Sequence, residues 1–172
     1  MNRNEIIHTD FFNNVKVIAE VGVLRGTYAG ALNRMKDLNE FHLIDPWRIF
    51  PKEEFNDYPK KTQQDWDKTY EFVENKFRGV DYVTIHRGTS LEVAPKFSPN
   101  YFDMVYIDAN HKYKYVFEDI STWLPKVKKG GILGGHDFDT KSVREAVLEY
   151  FDEKDLLITS EQKRATSWFV KI

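Results

Sequence analysis

The chain has 172 residues, 41% hydrophobic and 30% charged, which is enough to bury one globular core and too apolar for a disordered or low-complexity protein. Its 25 Lys and Arg against 27 Asp and Glu give a net charge of -2, which provides no basic footprint for nucleic acid. The absence of cysteine excludes disulfides, thiol catalysis and thiolate metal sites. The N-terminus is polar and the sequence contains no long apolar run, which predicts a cytoplasmic protein with no membrane partner.

Short apolar runs alternate with segments of helical periodicity, without an internal repeat, which predicts a single domain over residues 1–172. Strand-then-helix units favour right-handed crossovers and an α/β fold, with a parallel sheet covered by helices on both faces. Only seven residues separate the last two strands, too few for a crossover helix, so these strands should be antiparallel neighbours. The predicted strands are 15–21, 41–44, 82–86, 102–107, 131–135, 156–159 and 167–170.

Four segments repeat apolar residues with a 3.6-residue period and predict helices near 28–35, 66–77, 113–124 and 143–151. Ser142 and Glu145 have the spacing of a capping box for the last helix, with Thr140 and Asp139 as alternative caps. Ligands of such folds bind beyond the C-terminal ends of the strands, so the residues that follow each strand are the candidates for chemistry.

The first predicted strand ends in a glycine-containing turn beside a carboxylate, Glu20. Gly22 and Gly26 allow the backbone to turn tightly and to approach a ligand. A dinucleotide fingerprint needs a glycine at position 24, where Leu24 stands, and Glu20 would repel a pyrophosphate. The turn therefore favours a cationic ligand; a tight structural turn with a surface glutamate is the alternative.

Asp45 follows the second strand, where Pro46 ends it. A carboxylate at this place can accept hydrogen bonds from ribose hydroxyls, although a loop aspartate that only caps or is solvated has the same pattern. The next segment, residues 47–59, is long, aromatic and mixed in charge. It predicts a lid or acceptor-binding loop, or else a flap over the adenine edge.

Asp108 follows the fourth strand and Asp137 the fifth, and these strand ends should be neighbours. The two carboxylates can share a hard divalent cation, with Asn110 or His136 completing part of the shell, or they can be two solvated loop residues. His111 is the candidate general base, because an imidazole titrates near neutral pH and this loop can reach a bound substrate. A structural histidine is the alternative.

These residues together resemble a class I S-adenosylmethionine-dependent methyltransferase. The likeness rests on Glu20-x-Gly22, Asp45, Gly88-Thr89-Ser90 and Asp108-x-x-His111-x-Tyr113, and it spans nearly the whole chain. More narrowly, segments 44–47, 108–113 and 130–137 look like the small methyltransferases grouped with macrocin O-methyltransferase and cephalosporin hydroxylase relatives.

The resemblance implies a doubly wound, Rossmann-like, seven-stranded sheet in the order 3-2-1-4-5-7-6 with the last strand antiparallel. It places the methionine part of the cofactor at residues 20–26, the ribose at Asp45 with Trp47 also in the cofactor site, the adenine at residues 88–90, and Asp108 near the methyl donor. Some relatives bind Mg2+ through residues that match Asp108 and Asp137. His136 stands where some of them have a second acidic residue.

The predicted activity is in-line methyl transfer to the hydroxyl of a small molecule such as a sugar. A hydroxyl is a poor nucleophile until a base or a cation activates it, which is the role predicted for His111 or for a cation at Asp108 and Asp137. The alternatives are a nicotinamide-dependent oxidoreductase on a similar sheet and a cofactor-binding module without turnover. Nucleic-acid methylation is disfavoured by the balanced charge, and a homo-oligomer whose second chain covers the site stays open.

Overall fold

The computed structural model describes residues 1–54, 61–159 and 166–172. The strands are β1 (Val17–Val21), β2 (Glu40–Asp45), β3 (Val83–Arg87), β4 (Phe102–Ile107), β5 (Val127–Gly135), β6 (Leu157–Ile158) and β7 (Trp168–Lys171). The α-helices are α1 (Arg3–Ile6), α2 (Thr27–Leu32), α3 (Gln63–Lys76), α4 (Ser90–Val93), α5 (Tyr113–Trp123) and α6 (Lys141–Leu148). Within these three ranges, no helix has the length and apolar character needed to cross a membrane.

The seven strands form one sheet in the order β3-β2-β1-β4-β5-β7-β6. All neighbouring pairs are parallel except the two that involve β7. This confirms the doubly wound α/β class, the strand order and the antiparallel pairing of the last two strands. The strand order reverses between β1 and β4, so a crevice opens there at the C-terminal edge of the sheet.

Both faces of the sheet are covered by apolar side chains. Ile18 and Met104 belong to one buried cluster, while their neighbours Ala19 and Val105 belong to the other. Successive residues of a strand face opposite sides, which explains why these strands are apolar along their whole length. The exception in β1 is Glu20, which is 1% exposed.

The predicted capping box at the last helix is wrong. Helix α6 begins after Thr140, one of the alternative caps, and no side chain caps it. Ser142 instead donates a hydrogen bond from Oγ to the carbonyl oxygen of His111, at 2.6 Å. The hydroxyl therefore ties α6 to the loop after β4, which no local pattern predicts. Helices α1 and α4 span four residues each, too few for periodicity to indicate them.

Candidate functional site

A pocket of about 610 Å³ opens where the strand order reverses, and its volume is typical of a small-molecule or cofactor site. The predicted site residues that line it are Glu20, Gly22, Asp45, Trp47, Thr89, Ser90, Asp108 and His111. Gly26, Gly88 and Asp137 lie outside its wall. Most of the residues selected from the sequence are thus brought to one cavity by the ends of β1, β2, β3 and β4.

The loop after β1 depends on a glycine at position 22. Its φ is +91°, and a Cβ built there would lie 2.1 Å from the carbonyl oxygen of Asp108. No side chain fits so close to a backbone atom, so this glycine is what lets the end of β4 approach β1. Gly26 also has a positive φ, 64°, and forms the N-cap of α2.

Asp45 uses both carboxylate oxygens to hold backbone amides. Oδ2 accepts from the N–H groups of Val23 and Leu24 at 3.0 and 2.9 Å, and Oδ1 accepts from the N–H of Trp47 at 2.9 Å. The indole of Trp47 is fully buried and donates to the carbonyl oxygen of Leu24 at 2.8 Å. Burial raises the pKa of Asp45, and these hydrogen bonds oppose that rise. Asp45 and Trp47 therefore clamp the loops after β1 and β2 together.

Glu20 is a buried carboxyl in the pocket wall. Among the described residues, no group hydrogen-bonds its Oε2. Burial and the negative charge of Asp108 hold the pKa of Glu20 well above its usual value, while Arg3 and Lys76 act in the opposite direction. A carboxyl in this state gains most from a cationic ligand, which is the preference inferred from the sequence.

Two histidines and two aspartates form a cluster at the ends of β4 and β5. His111 Nε2 lies 3.0 Å from Asp137 Oδ2 and 3.7 Å from Asp108 Oδ1. His136 Nδ1 lies 3.3 Å from Asp137 Oδ2 and 3.6 Å from Asp108 Oδ1. The two carboxylates raise the pKa of His111 to about 10, and the two imidazoles lower the pKa of Asp137. In this arrangement the His111 imidazole carries a proton at neutral pH.

The same cluster has donor atoms placed for a metal ion. One ligand atom each from Asp108, His111 and Asp137 lies within 4.8 Å of the others. Two carboxylates and an imidazole suit a divalent cation. Asn110, considered as a ligand from the sequence, instead donates its amide to the carbonyl oxygen of Glu54 at 2.9 Å.

Arg3 lines the pocket, although the sequence carried no signal for it. Its Nη1 lies 3.5 Å from Asp108 Oδ2 and 3.4 Å from the hydroxyl of Tyr106, and its guanidinium stacks over the ring of Tyr28 at 4.5 Å. Arg3, at the start of helix α1, therefore supplies part of the wall of the site, for which the second chain of a homo-oligomer was one of the covers considered from the sequence.

Asp119 is a second pocket residue that was not predicted from the sequence. It is 5% exposed. Burial raises its pKa to about 7, and a hydrogen bond with Ser90 lowers the pKa in part. It interrupts the apolar face of α5 formed by Val116, Ile120 and Trp123. A charged residue within a core-facing stripe is the signal that could have found it.

The first part of the predicted lid, residues 47–54, contributes Trp47, Arg48, Phe50 and Glu54 to the wall of the pocket. On one side Arg48 pairs with Glu92 of α4 at 3.2 Å. On the other side Lys112 Nζ donates to the carbonyl oxygen of Glu53 at 2.5 Å, beside the Asn110 contact to Glu54. Residues 55–60 of the predicted lid lie outside the described residues.

Comparison with known proteins gives one family and several similar folds. A family profile described as "Methyltransferase domain" matches residues 19–138. No curated protein matches the chain. The chain resembles the O-methyltransferase NovP (TM-score 0.66, 18% identity, 98% of this chain and 78% of NovP covered). It also resembles the O-methyltransferase TomG from Streptomyces achromogenes, solved in complex with SAM (TM-score 0.66, 14% identity, 98% of this chain and 77% of TomG covered). A third similar structure is an rRNA methylase from Streptococcus thermophilus (TM-score 0.66, 11% identity, 99% of this chain and 97% of the methylase covered).

Proposed function

Because the chain belongs to the methyltransferase-domain family and is a class I S-adenosylmethionine-dependent methyltransferase, we propose that it methylates a hydroxyl group of a small molecule. The hydroxyl is proposed as the acceptor group because the Asp108–His111–Asp137 cluster lies at the rim of the pocket. A hydroxyl must lose its proton as it attacks the methyl group, whereas a neutral amine needs no base before attack. A base flanked by two carboxylates suits the first kind of acceptor.

The cofactor is proposed to lie along the pocket from the loop after β1 to the start of α4. Glu20 and the loop with Gly22 and Gly26 hold the methionine part, and Glu20 supplies a carboxylate for its ammonium group. Asp45 and Trp47 shape the ribose position. The adenine lies at Gly88, Thr89 and Ser90, of which the last two line the pocket. The TomG complex with SAM supports such a cofactor on this fold.

In the proposed mechanism, the walls of the pocket align the acceptor with the sulfonium carbon, and His111 takes the hydroxyl proton. Asp108 and Asp137 stabilise the imidazolium that results, because both lie within 4 Å of Nε2. These same carboxylates hold the proton on His111 at neutral pH, so the rate should increase toward alkaline pH as the imidazole becomes neutral.

As the alternative to His111 as the base, Asp108 and Asp137, with His111, would hold a divalent cation, proposed to be Mg2+. His111 would then be a ligand, and the cation would activate the hydroxyl. A bound cation supplies charge that lowers the pKa of a coordinated hydroxyl. The fit rests on the donor set, two carboxylates and one imidazole whose ligand atoms lie within 4.8 Å of one another.

The test of the reaction is methyl transfer from radiolabelled S-adenosylmethionine to a panel of sugars, catechols, amines and carboxylic acids. We expect labelled product with hydroxyl acceptors. The variant His111→Ala should lose about 10²- to 10⁴-fold in kcat, with S-adenosylhomocysteine affinity within about twofold of the wild type. Glu145→Gln, on the exposed surface of α6, is the charge-changing control. Product from amines alone, or full activity of His111→Ala, would contradict the proposal.

The test of the metal site is the same assay in EDTA, with Mg2+ or Mn2+ added back. Chelation should reduce the rate at least tenfold, and Asp137→Asn should make the enzyme insensitive to added cation. Equal rates with and without EDTA would show that the cluster works without a metal, which leaves His111 as the base.

A further inference from the structure

Arg3 is a cationic residue of the pocket wall that the proposed methyl transfer does not use. It precedes residues 19–138, the part of the chain that matches the family profile, so the profile assigns it no role. We propose that Arg3 is a positioning residue, whose guanidinium holds the Asp108 carboxylate in the orientation in which Oδ1 faces His111. This inference rests on the proposed function, in which Asp108 acts on His111 directly or binds a cation beside it.

The side chain of Asp108 needs a partner because the sheet fixes only its backbone. The N–H of Asp108 donates to the carbonyl oxygen of Val21 at 2.7 Å, which continues the pairing of β4 with β1. The carboxylate lies beyond the strand, is partly exposed and can rotate about χ2, a torsion with broad energy minima. It presents a defined oxygen to a neighbour only if contacts on both oxygens fix its plane.

The two oxygens of the Asp108 carboxylate have partners of different kinds. Oδ2 lies 3.5 Å from Arg3 Nη1. Oδ1 lies 3.7 Å from His111 Nε2 and 3.6 Å from His136 Nδ1. Among the described residues, Arg3 is the one Lys or Arg that forms an ion pair with Asp108. The guanidinium therefore holds one oxygen, and the other oxygen faces the two imidazoles.

The charge of Arg3 also acts on the second carboxyl group of the pocket, Glu20. Burial is the main cause of the raised pKa of Glu20, the charge of Asp108 raises it further, and the charge of Arg3 opposes both. The two carboxyl groups thus disfavour each other's charged forms, and Arg3 is a cation that acts favourably on both of them. Removal of Arg3 would leave the Asp108 carboxylate with repulsion from Glu20 and with no cation at Oδ2.

Arg3 is itself held by packing and hydrogen bonds, as a positioning residue must be. Its guanidinium lies over the ring of Tyr28 at 4.5 Å, and Nη1 donates to the hydroxyl of Tyr106 at 3.4 Å. The Tyr28 hydroxyl donates to the backbone carbonyl oxygen of Arg3 at 3.4 Å. The hydroxyls of Tyr106 and Ser167, both fully buried, lie 2.7 Å apart in a hydrogen bond. These contacts fix the guanidinium at the side of the pocket where Asp108 lies.

Helix α1 brings Arg3 to this place. The Asn2 side chain accepts from the backbone N–H groups of Asn4 and Glu5 at 2.9 and 3.1 Å, and Glu5 Oε2 accepts from the N–H of Asn2 at 3.1 Å. This capping box fixes the first turn of the helix, and Ile6 is buried in a core cluster. A substitution of Asn2 therefore loosens α1 without removal of the guanidinium, which makes it a control for the packing of the helix.

The kinetic test is the kcat for methyl transfer at saturating S-adenosylmethionine, which separates positioning from cofactor affinity. Arg3→Met removes the charge and should lower kcat about tenfold or more, with the KM for the acceptor within about threefold of the wild type. Arg3→Lys keeps a cation and should retain more of the kcat than Arg3→Met. Asn2→Ala should lose less than Arg3→Met. Arg78→Met, at an exposed position after α3, should behave as the wild type.

The structural test is a crystal structure of Arg3→Met, which needs no acceptor. Without the guanidinium, Asp108 Oδ1 should lie more than about 4 Å from both His111 Nε2 and His136 Nδ1, or the carboxylate should have two orientations. The reference is the wild type in the same crystal form, where both distances should stay below this limit.

The outcomes distinguish this inference from the proposed function. Wild-type protein that transfers no methyl group to any hydroxyl acceptor overturns the proposed function, and the catalytic role of Arg3 with it. The inference alone is overturned if Arg3→Met keeps its kcat within twofold of the wild type, or if Arg3→Lys or Asn2→Ala loses as much as Arg3→Met. It is also overturned if the Asp108 carboxylate keeps its orientation in the Arg3→Met crystal structure.

Discussion

At the scale of single residues, the loop after β1 shows how hydrogen bonds stabilise a left-handed backbone conformation at a residue that is not glycine. Leu24 has a φ of +51°, in the left-handed region that costs a non-glycine residue roughly 1–2 kcal/mol. Asp45 accepts from its N–H, Trp47 donates to its carbonyl oxygen, and its side chain packs on a core cluster. These contacts offset the strain, so the absence of glycine at position 24 does not prevent the turn.

Gly22 gives the sharpest residue-scale prediction. Gly22→Ala should destabilise the protein by about 3 kcal/mol or more, or prevent folding, because the new Cβ would overlap the backbone of Asp108. The free energy of unfolding in urea, measured without ligand, checks this. The matched control is Gly130→Ala, where φ is +81° but a Cβ meets nothing within 4 Å, so only about 1 kcal/mol of strain is expected. Equal costs at the two positions would contradict the steric explanation.

At the scale of elements, the segment 47–54 connects two sides of the pocket. It leaves β2 at the clamp made by Asp45, passes α4 at the Arg48–Glu92 pair and ends at hydrogen bonds from the loop after β4. We predict that it forms part of the acceptor site, with a flap over the adenine edge as the alternative.

Asn110→Ala removes the hydrogen bond that fixes Glu54 and should release this end of the segment. We expect the KM for the acceptor to increase about three- to tenfold, because an ordered wall of the site is lost, while S-adenosylhomocysteine affinity changes less than twofold. Steady-state kinetics with calorimetry measures both quantities, and Lys114→Ala on α5 is the control. A loss confined to cofactor binding would favour the flap over the lid.

At the scale of the whole molecule, the half-buried His86 and the buried Asp119 have opposite effects on the pH dependence of stability. The pKa of His86 is lowered to about 4, by burial first and then by His42, so between pH 4 and 6.5 the unfolded chain binds a proton that the native protein does not. This group makes stability increase with pH. The pKa of Asp119 is raised to about 7, so from about pH 4 to 7 the native protein holds the extra proton and stability decreases with pH.

Urea unfolding at pH 4.5, 5.5 and 6.5 therefore separates the two groups. Relative to the wild type, the stability of Asp119→Asn should increase more with pH, and that of His86→Gln should increase less. Neither difference can exceed about 1.4 kcal/mol per pH unit, the limit for one proton. Glu145→Gln should run parallel to the wild type. A variant whose profile departs in the opposite direction would refute the protonation state assigned to that residue.

The sequence alone predicted most of the strands of the sheet and the location of the site. Apolar runs predicted all seven strands, with ends shifted by up to four residues at β5, because burial on both faces imposes a pattern that composition reveals. The strand order came from the resemblance to methyltransferases, and it is confirmed. Asp108, Asp137 and His111 meet because parallel strands deliver their C-terminal ends to one edge, a consequence of topology that spacing along the chain already implies.

Tertiary structure decided which atoms those residues use. Asp45 Oδ2 accepts from backbone amides of another loop, Ser142 donates to the carbonyl oxygen of His111 instead of capping its own helix, and Arg3 contacts Asp108, which is 105 positions away in the chain. Asp119 enters the pocket only because α5 packs beside α4. Periodicity and composition report the environment of a residue, apolar or polar, whereas hydrogen-bond partners depend on distances of a few tenths of an ångström between segments that are remote in sequence.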